Sequence, residues 1–150
     1  MRRKPSVLFF STGDATRSRM AAALLCRVTD ELETASTAVS SVAAHALAEE
    51  VLTEIGVDIS THPAKPVAQS LREYFSVVVT LSDDSKERSP VWPFTRNLVH
   101  WNLPDPTAVD GSPEQRREAF RRTREEIHQR TCELLRNMQP VLRYTPAKAA

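Results

Sequence analysis

The stretch Val7-Leu8-Phe9-Phe10-Ser11-Thr12-Gly13-Asp14-Ala15-Thr16-Arg17-Ser18-Arg19-Met20-Ala21 decides how this chain is read. Residues 7–10 are continuously apolar, as in a short strand covered on both faces. From Arg19 to about Leu32, the residues Met20, Ala23, Leu24 and Val28 recur at helical spacing. Between strand and helix lies Ser11 to Ser18, small and polar. Such a loop suits a tetrahedral anion. Successive backbone N–H groups around Gly13 can curl into a nest, the helix presents its positive end, and Arg17 offers a two-pronged fork. Serine, threonine, glycine and aspartate also serve as ordinary caps in strand-to-helix turns. Spacing by itself leaves both readings open.

Outward from this loop the chain keeps alternating strand and helix. A second strand is expected over 34–39. Leu47, Val51, Leu52 and Ile55 then mark an amphipathic helix that Gly56 stops. Residues 75–81, with Val77-Val78-Val79 at their centre, form the best buried strand, and 97–101 a fourth. After a proline-rich loop a helix runs from Pro113 to about Met138. Ser112 is its N-cap, Pro113 its first residue, and Gln115 completes a capping box. Strands separated by helices imply βαβ units and a mainly parallel sheet, whose ligands bind at the carboxyl ends of the strands. The first such end is Phe10. Residues 1–139 are expected to form one domain, and 140–150, with Pro140 and Pro146, a flexible tail.

The composition narrows the function classes. At 150 residues, 41% apolar and 26% charged, the chain reads as one soluble domain, not as a disordered segment. Twenty basic against nineteen acidic side chains leave a net charge of +1, which gives no reason to expect nucleic acid. No apolar run approaches the ~20 residues of a membrane span, and the apolar stretch behind the basic start is too short for a signal peptide. A cytoplasmic location with no membrane partner is the expectation. Cys26 and Cys132 match neither a disulfide framework nor a zinc spacing, so no metal and no cofactor is expected. Cys132 reads as a small packing residue at the edge of the last helix's apolar stripe. Arg116, Arg117, Arg121, Arg122 and Arg124 read as a solvated face paired with Glu114, Glu118, Glu125 and Glu126. His62 reads as a surface-loop residue, His100 as a structural strand-end residue, and Trp92 and Trp101 as packing residues.

The loop resembles the C-x5-R-S phosphate loop of the low-molecular-weight protein tyrosine phosphatase superfamily, in particular its thioredoxin-coupled arsenate reductases. The likeness runs without a gap from Val7 to Ala21. It continues through Glu54-Ile55-Gly56-Val57-Asp58-Ile59-Ser60, Lys65 and Val78-Val79-Thr80. It then takes in His100-Trp101-Asn102-Leu103-Pro104-Asp105-Pro106 and the helix from Phe120 to Ile127, covering about residues 5 to 138. The resemblance implies an α/β fold, a three-layer sandwich around a four-stranded parallel sheet. It implies an anion-binding loop of Ser11, Thr12, Gly13, Asp14, Ala15, Thr16, Arg17 and Ser18. It also implies that Ser11, Arg17 and Asp105 stand at the catalytic positions, Asp105 at that of the general acid.

The departures from the family pattern matter more than the matches. Ser11 stands where the resemblance places the nucleophilic cysteine, and Ser82 and Ser89 where it places the two further redox cysteines. Asp14 stands where the family keeps asparagine. Arsenate reduction needs a thiolate to attack the oxyanion and a thiol relay to return electrons, and serine oxygen can do neither. The expected function is therefore that of a degenerate member. It binds phosphate, arsenate or another tetrahedral oxyanion, or a phosphorylated protein, without redox catalysis. The alternatives are a hydrolase with residual or serine-based activity, and a protein-interaction module whose pocket Asp14 closes. Purified protein is expected to show no thioredoxin-coupled arsenate reduction. Turnover that persists after Cys26→Ala and Cys132→Ala are combined would contradict this.

Overall fold

The continuously apolar run of β1 (Ser6–Ser11) sends side chains to both faces of a sheet. Val7 and Phe9 join one core cluster, Leu8 and Phe10 another, and all four have no exposed surface. The computed structural model describes residues 4–81, 92, 95 and 97–144. Around β1 stand β2 (Glu33–Ala38), β3 (Lys65–Pro66), β4 (Val77–Leu81) and β5 (Leu98–Trp101). Their order is β3-β2-β1-β4-β5, with every pair parallel. Phe10 lies beside Thr37 and Thr80, so the carboxyl ends of the three central strands are level with the loop that begins at Ser11.

The sheet has five strands, not the expected four. The additional strand is β3, whose two residues pair with Thr37 and Ala38 at the sheet edge. Two residues carry no alternation for a sequence pattern to reveal, and proline is tolerated there because an edge strand need not donate on its outer side.

The helices are α1 (Thr16–Val28), α2 (Ala46–Thr53), α3 (Val67–Ser70) and α4 (Pro113–Tyr144). Met20 and Leu24 of α1, Val51 and Leu52 of α2, and Phe120, Ile127, Leu134 and Met138 of α4 pack with Phe9, Val79 and Trp101 on one face of the sheet. On the other face Leu8, Phe10 and Val78 meet Phe75 and Trp92, with Val67 of α3 against them. Both tryptophans are core residues, as read from sequence. Trp92 meets the Phe10 ring edge-on at 5.5 Å and Trp101 the Phe9 ring at 5.6 Å.

Two helix boundaries differ from expectation. Helix α1 begins at Thr16 and ends at Val28, because Thr29 turns to extended backbone with no glycine or proline to announce the stop. Helix α4 continues to Tyr144 and so takes in part of the expected tail, while 145–150 lie outside the described residues. Pro140 reads in sequence as a stop. Its missing N–H forfeits one helical bond, yet the backbone keeps its course. The start of α4 is as expected. The Ser112 hydroxyl accepts from the Gln115 N–H at 3.1 Å, and the Ser112 N–H donates to Gln115 Oε1 at 2.8 Å.

The arginine face of α4 pairs with Glu114, Glu118 and Glu125, as expected, but it also reaches across to α2. Arg117 meets Glu50 at 3.2 Å, and Arg121 and Arg124 both meet Glu54, at 2.7 and 2.9 Å. Hydrogen bonds from Arg121, then from Arg124, hold the Glu54 carboxyl down from its ordinary 4.5 to about 2. A carboxyl depressed in the folded state contributes stability that is full above about pH 4.5 and is lost as pH falls toward 2. Glu54→Gln is expected to flatten the acid limb of the stability curve in that window and to leave its neutral slope unchanged. An unaltered acid limb in thermal melts from pH 5 to about 2 would show that the network contributes nothing.

Candidate functional site

The loop between β1 and α1 owes its shape to the segment that follows β2. The Ser11 carbonyl accepts the Val39 N–H at 3.2 Å, and the Gly13 carbonyl accepts the Ser40 N–H at 3.1 Å. Between them the Thr12 carbonyl accepts the Ser40 hydroxyl at 3.4 Å. No peptide bond among the described residues is cis, and in a planar trans peptide the carbonyl of one residue opposes the N–H of the next. Three carbonyls drawn toward 39–40 therefore turn the N–H groups of Thr12, Gly13 and Asp14 to the opposite side. A run of amides turned one way is the element from which an anion nest is built.

Gly13 does not lend the loop a left-handed residue. Among the described glycines only Gly56 and Gly111 have positive φ, at 77° and 130°. A Cβ at Gly13 would meet nothing within 4 Å. The neighbouring segment, not glycine's conformational freedom, shapes this loop.

The rest of the loop is fastened at several points. The Ala15 N–H donates to the Ala43 carbonyl at 2.8 Å, and the buried Ser18 hydroxyl donates to the Ala15 carbonyl at 3.3 Å. Thr16, also buried, receives the His45 N–H on its hydroxyl at 2.9 Å. His45 in turn caps α2, its Nδ1 accepting from the Leu47 N–H at 3.0 Å. Asp14 is exposed, and its Oδ1 accepts the Thr16 N–H at 3.1 Å. That is the ordinary capping role, and it sets a negative charge on the rim of the loop.

Arg17 is 8% exposed and donates from Nη1 to the Leu103 carbonyl at 2.9 Å. Leu103 is fully buried and stands two residues before Asp105. The bond therefore ties the loop to the segment that carries Asp105. Asp105 caps the short helical turn Pro106–Ala108, where one of its oxygens receives both the Thr107 N–H and the Thr107 hydroxyl, at 2.9 and 2.7 Å. Ser11 has no exposed surface, and its Oγ has no hydrogen-bond partner among the described residues. A buried hydroxyl left without a partner costs about 1–3 kcal/mol.

Other sequence candidates fall away from this centre. His62 gives its carbonyl, not its ring, to α1. Arg19 holds the carbonyls of His62, Ile59 and Val42 at 2.9, 3.1 and 3.4 Å, a strap that no sequence motif announces. Burial, with Arg19 nearby, pushes the His62 imidazole below its usual pKa. His100 shares a 2.7 Å bond with the Thr80 hydroxyl across β4 and β5, a structural role. Cys26 is exposed, and Cys132 is partly buried with its sulfur 3.8 Å from His128 Nε2. Ser82 and Ser89 lie outside the described residues. Among the described residues no group of three or more His, Cys, Asp or Glu could hold a metal ion, and no helix is long and apolar enough to cross a membrane.

The arrangement concentrates hydrogen-bond donors at the carboxyl end of β1. The loop amides, the N–H groups of the first helical turn after Thr16 and the guanidinium nitrogens of Arg17 that do not hold Leu103 all suit a tetrahedral oxyanion. The Asp14 carboxylate, on the rim of the same loop, opposes them. Asp14→Asn keeps an oxygen that can cap Thr16 and removes the charge. It is expected to tighten sulfate binding several-fold with little change in melting temperature. Equal affinity by calorimetry would mean that solvent already screens the carboxylate from the loop.

The sequence profile of the family described as low molecular weight phosphotyrosine protein phosphatase matches residues 6–143. The chain is 31% identical over 128 residues to an arsenate reductase of Halalkalibacterium halodurans, covering 85% of this chain and 92% of that protein. An arsenate reductase solved in its phosphate-binding state shares the fold with a TM-score of 0.73 at 22% identity, over 90% of this chain and 99% of that one. So does an arginine phosphatase with a cysteine-to-serine change and a phosphorylated active-site serine, at TM-score 0.69 and 21% identity, over 89% and 95%.

Proposed function

Because the chain belongs to the low molecular weight phosphotyrosine protein phosphatase family, we propose that its 11–18 loop binds a tetrahedral oxyanion without redox turnover. The ligand is phosphate, arsenate or the phosphoryl group of a modified protein. The observation that carries this reading is that the Ser11, Thr12 and Gly13 carbonyls all accept from Val39 and Ser40, which turns the amides that follow them the other way in a loop that also carries buried Arg17. Charge-assisted bonds from Arg17 and the helix end favour a dianion over water.

Ser11 takes the place of the family's nucleophilic cysteine, and Ser82 and Ser89 the places of the relay cysteines. A thiol becomes a thiolate readily in such an electropositive site, whereas a serine hydroxyl needs a neighbouring base. No histidine donates to or accepts from Ser11. Capture of the anion is then what remains of the family's chemistry. The closed-pocket alternative loses support because the Asp14 carboxylate is exposed and occupied with Thr16.

One observation favours the hydrolase alternative. The arginine phosphatase with serine at its active site carries phosphate on that serine. If Ser11 reacts likewise, intact mass after incubation with p-nitrophenyl phosphate gains one phosphoryl group that Ser11→Ala abolishes.

Thermal shift with phosphate, sulfate and arsenate tests the main reading. Millimolar anion is expected to raise the wild-type melting temperature, and Arg17→Ala to remove the effect. No stabilisation of the wild type, with Arg17→Ala indistinguishable from it, contradicts an anion site.

A further inference from the structure

Residues 39–43, whose bonds turn the loop, bury little apolar surface of their own. Val39 and Val42 are 53% and 46% exposed, and Ser40, Ser41 and Ala43 are exposed too. Apolar burial therefore contributes little to keeping this segment in place. Hydrogen bonds from the start of α1 supply the hold instead. The Ala15 N–H donates to the Ala43 carbonyl at 2.8 Å, and the Arg19 side chain donates to the Val42 carbonyl at 3.4 Å. The same guanidinium spans to the carbonyls of Ile59 and His62, the two ends of a turn that the His62 N–H closes on Ile59 at 3.0 Å. Nε, Nη1 and Nη2 of Arg19 thus each serve a different backbone oxygen.

We propose that Arg19 is a positioning residue of the anion loop: it pins Val42 to the turn at 59–62 and so keeps Val39 and Ser40 bonded to the Ser11, Thr12 and Gly13 carbonyls. This rests on the reading of the 11–18 loop as an anion site and goes beyond it, because a residue outside the loop then sets the loop's affinity through the backbone of 39–43. With the pin removed, the loop peptides are free to rotate. Each peptide that does so presents a carbonyl oxygen where it had presented an N–H, an acceptor in place of a donor.

Charge and geometry separate at this position. The planar guanidinium fork reaches three carbonyls at once, whereas a lysine ammonium is a point donor on a flexible stem. Arg19→Lys keeps the positive charge near the site and loses the three-way hold. Asn97 supplies the control. Its side-chain amide donates to the Ser76 carbonyl at 3.1 Å, at the amino ends of β4 and β5, the opposite end of the sheet from the loop.

Sulfate is titrated calorimetrically into the wild type, Arg19→Lys, Arg19→Gln, Arg17→Ala and Asn97→Ala, and the exchange of the Val39 and Ser40 amides is followed by NMR in anion-free buffer. Both Arg19 variants are expected to bind about tenfold more weakly, with the Val39 and Ser40 amides exchanging about tenfold faster and those between β1 and β2 unchanged. Asn97→Ala also loses a bond to a carbonyl, yet it binds within about twofold of the wild type. If Arg17→Ala abolishes binding while Arg19→Lys binds as tightly as the wild type, the inference is overturned and the anion site stands. Wild-type exchange at Val39 and Ser40 in both Arg19 variants, or an equal loss of affinity in Asn97→Ala, overturns it likewise. If the wild type binds no sulfate at all, the anion site itself is lost and the role of Arg19 with it.

Discussion

Hydrogen bonds from Val39 and Ser40 to the carbonyls of Ser11, Thr12 and Gly13 set the direction of everything else at the site. They occupy the loop's acceptors and turn the amides that follow them to the opposite side. No residue in the loop enforces this, since Gly13 does not use the left-handed region and a side chain would fit there. The instruction comes from the chain just beyond β2. Because β1 and β2 pair in register from Ser6 and Glu33 to Ser11 and Ala38, the two loops leave the sheet side by side. The sheet register therefore determines the electrostatics of the loop.

A second layer of bonds fixes the loop to the helices and to the segment after β5. Thr16 holds the His45 backbone, His45 caps α2, and its ring lies 5.1 Å from that of Phe120 on α4. Arg17 reaches Leu103 and so couples the anion loop to the turn capped by Asp105. Below these, the Glu54 carboxylate joins α2 to Arg121 and Arg124 of α4. Exposed ion pairs of this kind contribute modestly to stability. They join α4 to α2, whose capping residue His45 is bonded to the loop through Thr16.

Much of this was legible in the residues. Val7 to Phe10 announced a doubly covered strand, the capping box at Ser112 and Gln115 formed as written, and Gly56 adopts the positive φ of a helix stop. What escaped the sequence had physical causes. Strand β3 is two residues long, too short for any periodicity, and α1 ends at Thr29 without a breaker. The Val39 and Ser40 donors to the loop carbonyls, the Arg17 bond to Leu103 and the Arg19 strap all join a backbone oxygen to a group far away in the chain. Backbone acceptors have no residue identity, so no motif encodes them. The likeness to the phosphatase family located the loop, but the contrast between a cysteine and a buried, unpartnered serine had to be judged from the fold.

A crystal structure of the protein grown with phosphate would test the central claim most directly. The account predicts a tetrahedral anion in the 11–18 loop, within hydrogen-bond distance of the Gly13 and Asp14 N–H groups and the Arg17 guanidinium. Arg17 should keep its bond to Leu103. A loop that stays empty at saturating phosphate, or an anion bound only elsewhere on the surface, would contradict it.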